Sequence, residues 1–132
     1  MILATDVHYS KNTSTAAGIL FKNWDAAEAS DIVTAYIPEV AEYIPGQFYK
    51  RELPCLLALL QKLPTEPDCI VVDGFVYLDN AQKPGLGKYL YDALEARIPI
   101  VGVQSLLLRV HQKNAEYCAE KAIILCISPQ LE

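Results

Sequence analysis

Short runs of β-branched and aromatic residues, separated by polar turns, fill the first third of the chain. This pattern predicts strands over residues 2–9, 16–21 and 32–37, with a polar turn over 10–14 and Pro38 closing the third strand. Because the connections between these runs are short, we expect the three strands to form an antiparallel meander.

The middle of the chain changes from strand to helix periodicity. Leucines recur at helical spacing and form one apolar stripe, made of Leu53, Leu56, Leu57, Leu60 and Leu63. Pro54 suits the first helical turn, where its missing N–H costs nothing. Pro64 and Pro67 then end the predicted helix.

The second half of the chain alternates short apolar strands with helices. The pattern predicts strands over 69–72, 98–103 and 122–127, with helices over 86–97 and 114–121 between them. Together with the meander, this order predicts a single α/β domain over the whole chain. We expect a mixed sheet in which the antiparallel meander is followed by right-handed β-α-β crossovers.

Composition narrows the classes of function. Apolar residues make up 52% of the 132 positions, yet no apolar run reaches the roughly 20 residues of a membrane-spanning helix. The N-terminus lacks the basic and apolar regions of a signal peptide, so we expect a cytoplasmic protein with no membrane partner. The net charge of −5 argues against a protein that coats nucleic acid by bulk electrostatics, but a metal-binding cluster of acids remains compatible with it.

Three acids stand at or near the ends of predicted elements: Asp6, Glu52 and Asp73. Ligand sites in open α/β sheets tend to assemble at strand ends. Each acid also has a structural explanation, since Asp6 would face solvent and Glu52 would complement the positive end of its helix. Asp73 with the following glycine would make a turn.

The sequence around these acids resembles the endonuclease V family. Residues 43–46 read Tyr-Ile-Pro-Gly and lead to Arg-Glu at 51–52, which is the specific part of the family signature. Residues 6–9 are similar to the family's Asp-Val-x-Tyr, and 68–74 to its apolar strand closed by Asp-Gly. The similarity continues through 85–103, so it covers nearly the whole chain in order.

This resemblance implies a ribonuclease H-like fold and a chemistry. The family uses Mg²⁺ or Mn²⁺ to hydrolyse a phosphodiester on the 3′ side of a deaminated purine, deoxyinosine in DNA or inosine in RNA. Carried over by position, Asp6, Glu52 and Asp73 are the metal-binding catalytic acids, and carboxylate oxygens suit such hard cations. The family's wedge, which separates the lesion from its base stack, corresponds to Tyr43, Ile44, Pro45 and Gly46.

The chain departs from the family pattern at three places. Phe75 stands where the family has a histidine after Asp-Gly, and neutral Gln104 or Ser105 stands where it has a lysine at the phosphate. Lys88 or Lys83 is the candidate for the missing positive charge. The family's later Gly-His has no counterpart after residues 122–127, so the domain is expected to be truncated relative to the family.

These departures leave an alternative to nuclease activity. The alternative is a catalytically impaired endonuclease V-like protein that binds nucleic acid, a nucleotide or a protein partner. The early end of the chain also leaves apolar sheet surface to be covered, for which we predict a homodimer.

Overall fold

Six strands and two helices make up the described part of the chain, which is residues 1–79, 81–105 and 122–127 of a computed structural model. Residues 104, 105 and 122–127 are described by their backbone alone. In chain order the elements are β1 (Ile2–Ser10), β2 (Thr13–Phe21), β3 (Asp31–Ile37), α1 (Phe48–Leu60), β4 (Cys69–Asp73), α2 (Leu86–Ala93), β5 (Ile100–Ser105) and β6 (Ala122–Ile127). The helix predicted over 114–121 lies outside the described residues.

One mixed sheet contains all six strands, in the order β3-β2-β1-β4-β5-β6. The antiparallel meander is confirmed, since β2 pairs antiparallel with both β1 and β3. Strands β1, β4 and β5 run parallel to one another, as the crossover pattern predicts. Strand β6 pairs antiparallel with β5, so the expectation of a further parallel crossover is wrong. An apolar run predicts a strand but not whether that strand pairs parallel or antiparallel with its neighbour. The pairing depends on the end of the sheet at which the chain re-enters it.

The hairpin between β1 and β2 is tighter than the predicted turn over 10–14. Its strands stay paired as far as Ser10 and Thr13, which leaves a two-residue loop with Lys11 at φ +55°. Such loops need left-handed backbone to match the twist of the strands. Ser14 is therefore a strand residue with a fully buried side chain.

Helix α1 begins at Phe48, ahead of the expected first turn around Leu53 and Pro54. Aromatic packing explains the longer helix, because the Tyr49 ring stacks on the Tyr89 ring of α2 with centroids 3.7 Å apart. Pro54 is thus an interior residue, and it leaves the Lys50 carbonyl without its usual helical donor. As a consequence, Glu52 projects from within the helix instead of preceding it.

The main core lies between the two helices and one face of the sheet. Its most buried members are fully inaccessible to solvent, and they are Leu3, Ile70, Leu90 and Ile100. Helix α2 ends at Ala93 instead of residue 97, because Glu95 and Ala96 have left-handed backbone with φ of 56° and 57°. Neither helix within the described ranges is long and apolar enough to cross a bilayer.

Candidate active site

Three acidic side chains from different elements line one cavity of about 290 Å³. Asp6 comes from β1, Glu52 from the interior of α1, and Asp73 from the last position of β4. The three residues lie far apart in the chain, so the fold alone brings them to a common space. All three candidate acids of the sequence therefore face the same cavity.

Strand pairing explains why two of these acids meet. Strands β1 and β4 are in register from Ile2 with Cys69 to Ala4 with Val71, and no pair follows. Asp6 and Asp73 each lie two residues beyond that last pair, where the strands separate. A crevice at the carboxyl ends of parallel strands is the usual position of a ligand site in such sheets.

Burial and the charges of neighbouring acids raise the pKa values of two acids in this cavity, Glu52 and Asp73. Burial raises the pKa of the Glu52 carboxyl to about 7, and the charges of Asp6 and Asp73 act in the same direction. Interactions with Tyr9 and Arg51 oppose this rise. Burial, followed by the charge of Asp6, also raises the pKa of Asp73. The charge of Asp6 thus contributes to the raised pKa of both Glu52 and Asp73.

The donor atoms fit a hard divalent cation in type, since carboxylate oxygens are the ligands that Mg²⁺ and Mn²⁺ prefer. The acids are further apart than the ligands of a bound ion, because within the described ranges no three His, Cys, Asp or Glu side chains are close enough together to hold one. Like-charged carboxylates repel at short range. Gathering the acids around a cation therefore requires side-chain movement of Asp6, Glu52 and Asp73.

We expect the Glu52 carboxyl to make the metal-free protein less stable as the pH rises. Its pKa is 4.5 in the unfolded chain and about 7 in the fold, so between these values the folded state holds a proton that the unfolded state has released. The stabilisation from protonated Glu52 is complete below 4.5 and is lost as the pH rises through 7. With allowance for screening by solvent, the loss is about 2 kcal/mol.

Urea unfolding in a chelator, near pH 5 and near pH 8, measures this effect in the wild type and in Glu52→Gln. The substitution should shrink the difference in unfolding free energy between the two pH values by about 2 kcal/mol. An equal pH dependence in both proteins would show that another group dominates it.

A second cavity, of about 410 Å³, adjoins the first and shares Asp73 with it. Its walls are mostly apolar and include Phe48, Phe75 and Leu78. Gly46 of the Tyr-Ile-Pro-Gly segment also lines it, and the Gln47 N–H after that segment donates to the Ile44 carbonyl at 2.9 Å. The second cavity thus connects the carboxylate at the end of β4 with the Tyr-Ile-Pro-Gly segment.

That segment forms a tight turn. Pro45 and Gly46 occupy its two central positions, and Gly46 has φ +80°, which is the backbone that a type II turn requires of its second central residue. The turn presents Tyr43 and Ile44 to solvent, with exposed fractions of 58% and 47%. Rigid apolar side chains therefore stand exposed beside the second cavity.

The predicted cationic contact, Lys88, lies elsewhere. The Lys88 ammonium donates to Asp92 one helical turn away at 2.7 Å and lies 5.4 Å from the Tyr91 ring centroid. Lys88 lines neither of the two cavities. Gln104 belongs to β5, and its side chain is outside the described part of the chain.

Sequence reasoning missed two residues beside the acids, Tyr9 and Arg51. The Arg51 guanidinium carbon lies 3.8 Å from the centroid of the Tyr9 ring, and Tyr9 lines the acidic cavity. Strand alternation gives no signal for Tyr9, because it places Tyr9 with Thr5 and Val7 on the face of β1 opposite to Asp6. Nothing in the pattern indicates that Arg51 would lie over that ring.

The family model described as Endonuclease V matches residues 1–130 of this chain. An endonuclease V of Trichormus variabilis is 31% identical over 105 residues, which cover 79% of this chain and 46% of the relative. An endonuclease V of Thermus thermophilus is 37% identical over 79 residues, covering 58% and 34%. The chain spans about half the length of the first of these relatives.

Solved structures support the fold. The endonuclease V of Streptomyces avermitilis superposes with a TM-score of 0.69 at 24% identity, over 96% of this chain and 54% of that one. The Ciona intestinalis endonuclease V, solved with a 24mer DNA containing an inosine followed by a ribo-adenosine, gives 0.63 at 19% identity, over 78% and 45%. At these identities the comparison concerns the fold, and it confirms the ribonuclease H-like architecture.

Proposed function

The chain belongs to the endonuclease V family, and on that premise we propose that it is a metal-dependent endonuclease. Its substrate is DNA or RNA with a deaminated purine, and the bond hydrolysed is the phosphodiester on the 3′ side. The observation that carries this proposal is the meeting of Asp6, Glu52 and Asp73 at one cavity. Relatives named endonuclease V, including one solved with inosine-containing DNA, support the substrate class.

In this proposal Asp6, Glu52 and Asp73 hold Mg²⁺ or Mn²⁺. A bound cation of this kind supplies Lewis acidity and makes hydroxide accessible near neutral pH. Glu52 must lose its proton to serve as a ligand, and its pKa of about 7 in the metal-free protein means that cation binding at lower pH must displace that proton. Asp6 and Asp73 each bring a carboxylate from a strand end, so the strands define the positions of two of the three donors.

The second cavity accounts for the choice of substrate. Asp73 belongs to both cavities, so a base held in the second cavity brings its phosphodiester beside the acids. Tyr43 and Ile44 present rigid apolar surface of the kind that enters a base stack. Phe75, where the family has a histidine, makes that wall of the cavity apolar, and we propose that specificity is broader as a result.

A second candidate is a protein that binds nucleic acid without cutting it. The observation in its favour is that no ready-made cluster of three metal ligands exists among the described residues. A neutral residue, Gln104 or Ser105, at the family's lysine position points the same way, because losing a charge placed at a transition state costs some 10²–10³ in rate.

Cleavage of matched oligonucleotides separates the two candidates. DNA and RNA strands with one inosine, and controls with adenosine or guanosine at that position, are incubated with Mg²⁺ or Mn²⁺. The nuclease proposal expects inosine-dependent cutting by the wild type and none by Asp6→Ala. Equal cutting by the variant would mean a contaminating nuclease or a different site. No cutting, with Mn²⁺ still raising the melting temperature, would favour the binding protein.

A further inference from the structure

Three buried polar atoms lack a hydrogen-bond partner among the described residues: the Tyr9 hydroxyl, Arg51 Nε and Gln47 Oε1. They belong to the first turns of α1 and to the strand that α1 faces. Buried polar groups in proteins are nearly always paired. Of the three residues, Tyr9 lines the acidic cavity, so its unpaired hydroxyl indicates a functional arrangement there.

The Tyr9 hydroxyl shares the acidic cavity with Glu52. Both side chains line that cavity, and the hydroxyl has no hydrogen-bond partner among the described residues. An interaction with Tyr9 also opposes the rise that burial causes in the pKa of Glu52. The Arg51 guanidinium carbon lies over the Tyr9 ring, 3.8 Å from its centroid, a cation–π contact that restrains the ring.

Buried contacts hold the backbones of both residues in place. Tyr9 pairs with Ser14 across the hairpin, and the Ser14 hydroxyl lies 3.1 Å from the Cys55 thiol of α1. The same thiol donates to the Arg51 carbonyl at 3.4 Å. The segment of α1 that carries Glu52 is thereby tied to the hairpin that carries Tyr9, so the distance between the two backbones is fixed.

We propose that Tyr9 is the positioning residue of Glu52, donating its hydroxyl hydrogen to the carboxylate and holding it toward Asp6 and Asp73. Arg51 keeps the Tyr9 ring in the orientation that this bond needs. A glutamate side chain has several rotatable bonds, and ordering it beforehand removes an entropic cost of ligand binding. Tyr9 itself touches neither cation nor substrate. The consequence for metal binding rests on the proposed function; the contact between Tyr9 and Glu52 does not.

Thermal unfolding without metal, near pH 8, tests the contact. Tyr9→Phe keeps the ring and its contact with Arg51 and removes the hydroxyl alone. As a single substitution it should lower the melting temperature by about 3–5 °C. In a protein that also carries Glu52→Leu, where no acceptor remains, the same substitution should leave the melting temperature unchanged. Tyr36→Phe, at an exposed tyrosine of β3, is the matched control and should have no effect. Equal losses in the two backgrounds would overturn the inference.

Titration calorimetry with Mn²⁺ and cleavage kinetics test the consequence. Tyr9→Phe should weaken Mn²⁺ binding about 10-fold and lower kcat, with KM for the oligonucleotide unchanged. Unchanged Mn²⁺ affinity, in a wild type that does bind the ion, would overturn the positioning role. A wild type that neither binds Mn²⁺ nor cuts would refute the proposed function, while the unfolding comparison would still decide whether Tyr9 holds Glu52.

Discussion

Asp73→Asn is expected to lower inosine-dependent cleavage by at least about 10²–10³-fold and to remove the stabilisation by Mn²⁺. Asn is close to Asp in size but offers one neutral oxygen where the acid offers a charged pair. Asp73 is the acid that both cavities share, so under the proposed function its loss is expected to affect metal binding and the placement of the scissile bond together.

The same substitution should make the metal-free protein slightly more stable. Burial and the charge of Asp6 raise the pKa of Asp73, which means that the fold disfavours its ionised form above the ordinary pKa of an aspartate. Removing that charge relieves the repulsion. A residue that costs stability and is required for activity is typical of a functional site.

Melting curves with and without Mn²⁺, together with single-turnover cleavage, measure both effects. Asp25→Asn, at an exposed acid between β2 and β3, changes the net charge equally and should leave both measurements as in the wild type. If Asp73→Asn retained the Mn²⁺-dependent shift in melting temperature, Asp73 would not be a ligand. If Asp25→Asn also lost the Mn²⁺-dependent shift in melting temperature, that shift would reflect general electrostatic attraction of the cation to an acidic protein.

Gly102→Ala is expected to cost about 3 kcal/mol of folding free energy and to impair the site. A Cβ at this position of β5 would lie 2.5 Å from the Gly74 carbonyl oxygen and 3.1 Å from the Val76 backbone nitrogen. Backbone atoms cannot turn aside as a flexible side chain does. The segment after Asp73 would have to move away from β5, and the Gly74 N–H bond to the Val103 carbonyl, now 3.0 Å long, would weaken.

Because Gly74 directly follows Asp73, the displacement should also reach the acid. A misplacement of about 1 Å at a reacting centre can cost on the order of 10²-fold in rate. Urea unfolding and cleavage assays of Gly102→Ala measure the two losses. Gly46→Ala is the control for backbone strain without a clash, since a Cβ there meets nothing within 4 Å. Its left-handed φ should cost about 1 kcal/mol.

A loss in Gly102→Ala no greater than in Gly46→Ala would mean that β5 and the segment after Asp73 separate easily. Full stability with lost cleavage would point to a local rearrangement confined to the site. The expected pattern is a loss of both, because the same contact supports the strand pairing and the position of Asp73.

The predicted homodimer remains a prediction. Ile19, Ile32 and Tyr36 form an exposed apolar set on β2 and β3, with exposed fractions of 45%, 65% and 64%, and Ile19 pairs directly with Ile32. Sedimentation of the purified protein over a range of concentrations decides its oligomeric state.

Much of the architecture was predictable from local pattern. Runs of β-branched residues identified every strand within a few positions, and β6 to the residue, because strand formation depends mostly on local side-chain pattern and on burial. The motif around Tyr43 to Glu52 identified the family that the family model then matched over 1–130. Boundaries that depend on packing were less predictable, as the early start of α1 at Phe48 illustrates, since its cause is a ring of another helix.

The sequence by itself determined the elements, the meander and the three acids that are candidates for one site. Only the tertiary structure decided that Asp6 and Asp73 lie equally far beyond the last β1–β4 pair, and that Glu52 is buried inside a helix instead of exposed at its start. It also decided that Tyr9 and Arg51 stand beside Glu52. The physical reason is that periodicity along a chain records which face a residue takes, whereas distances between residues far apart in the chain depend on strand register and helix packing.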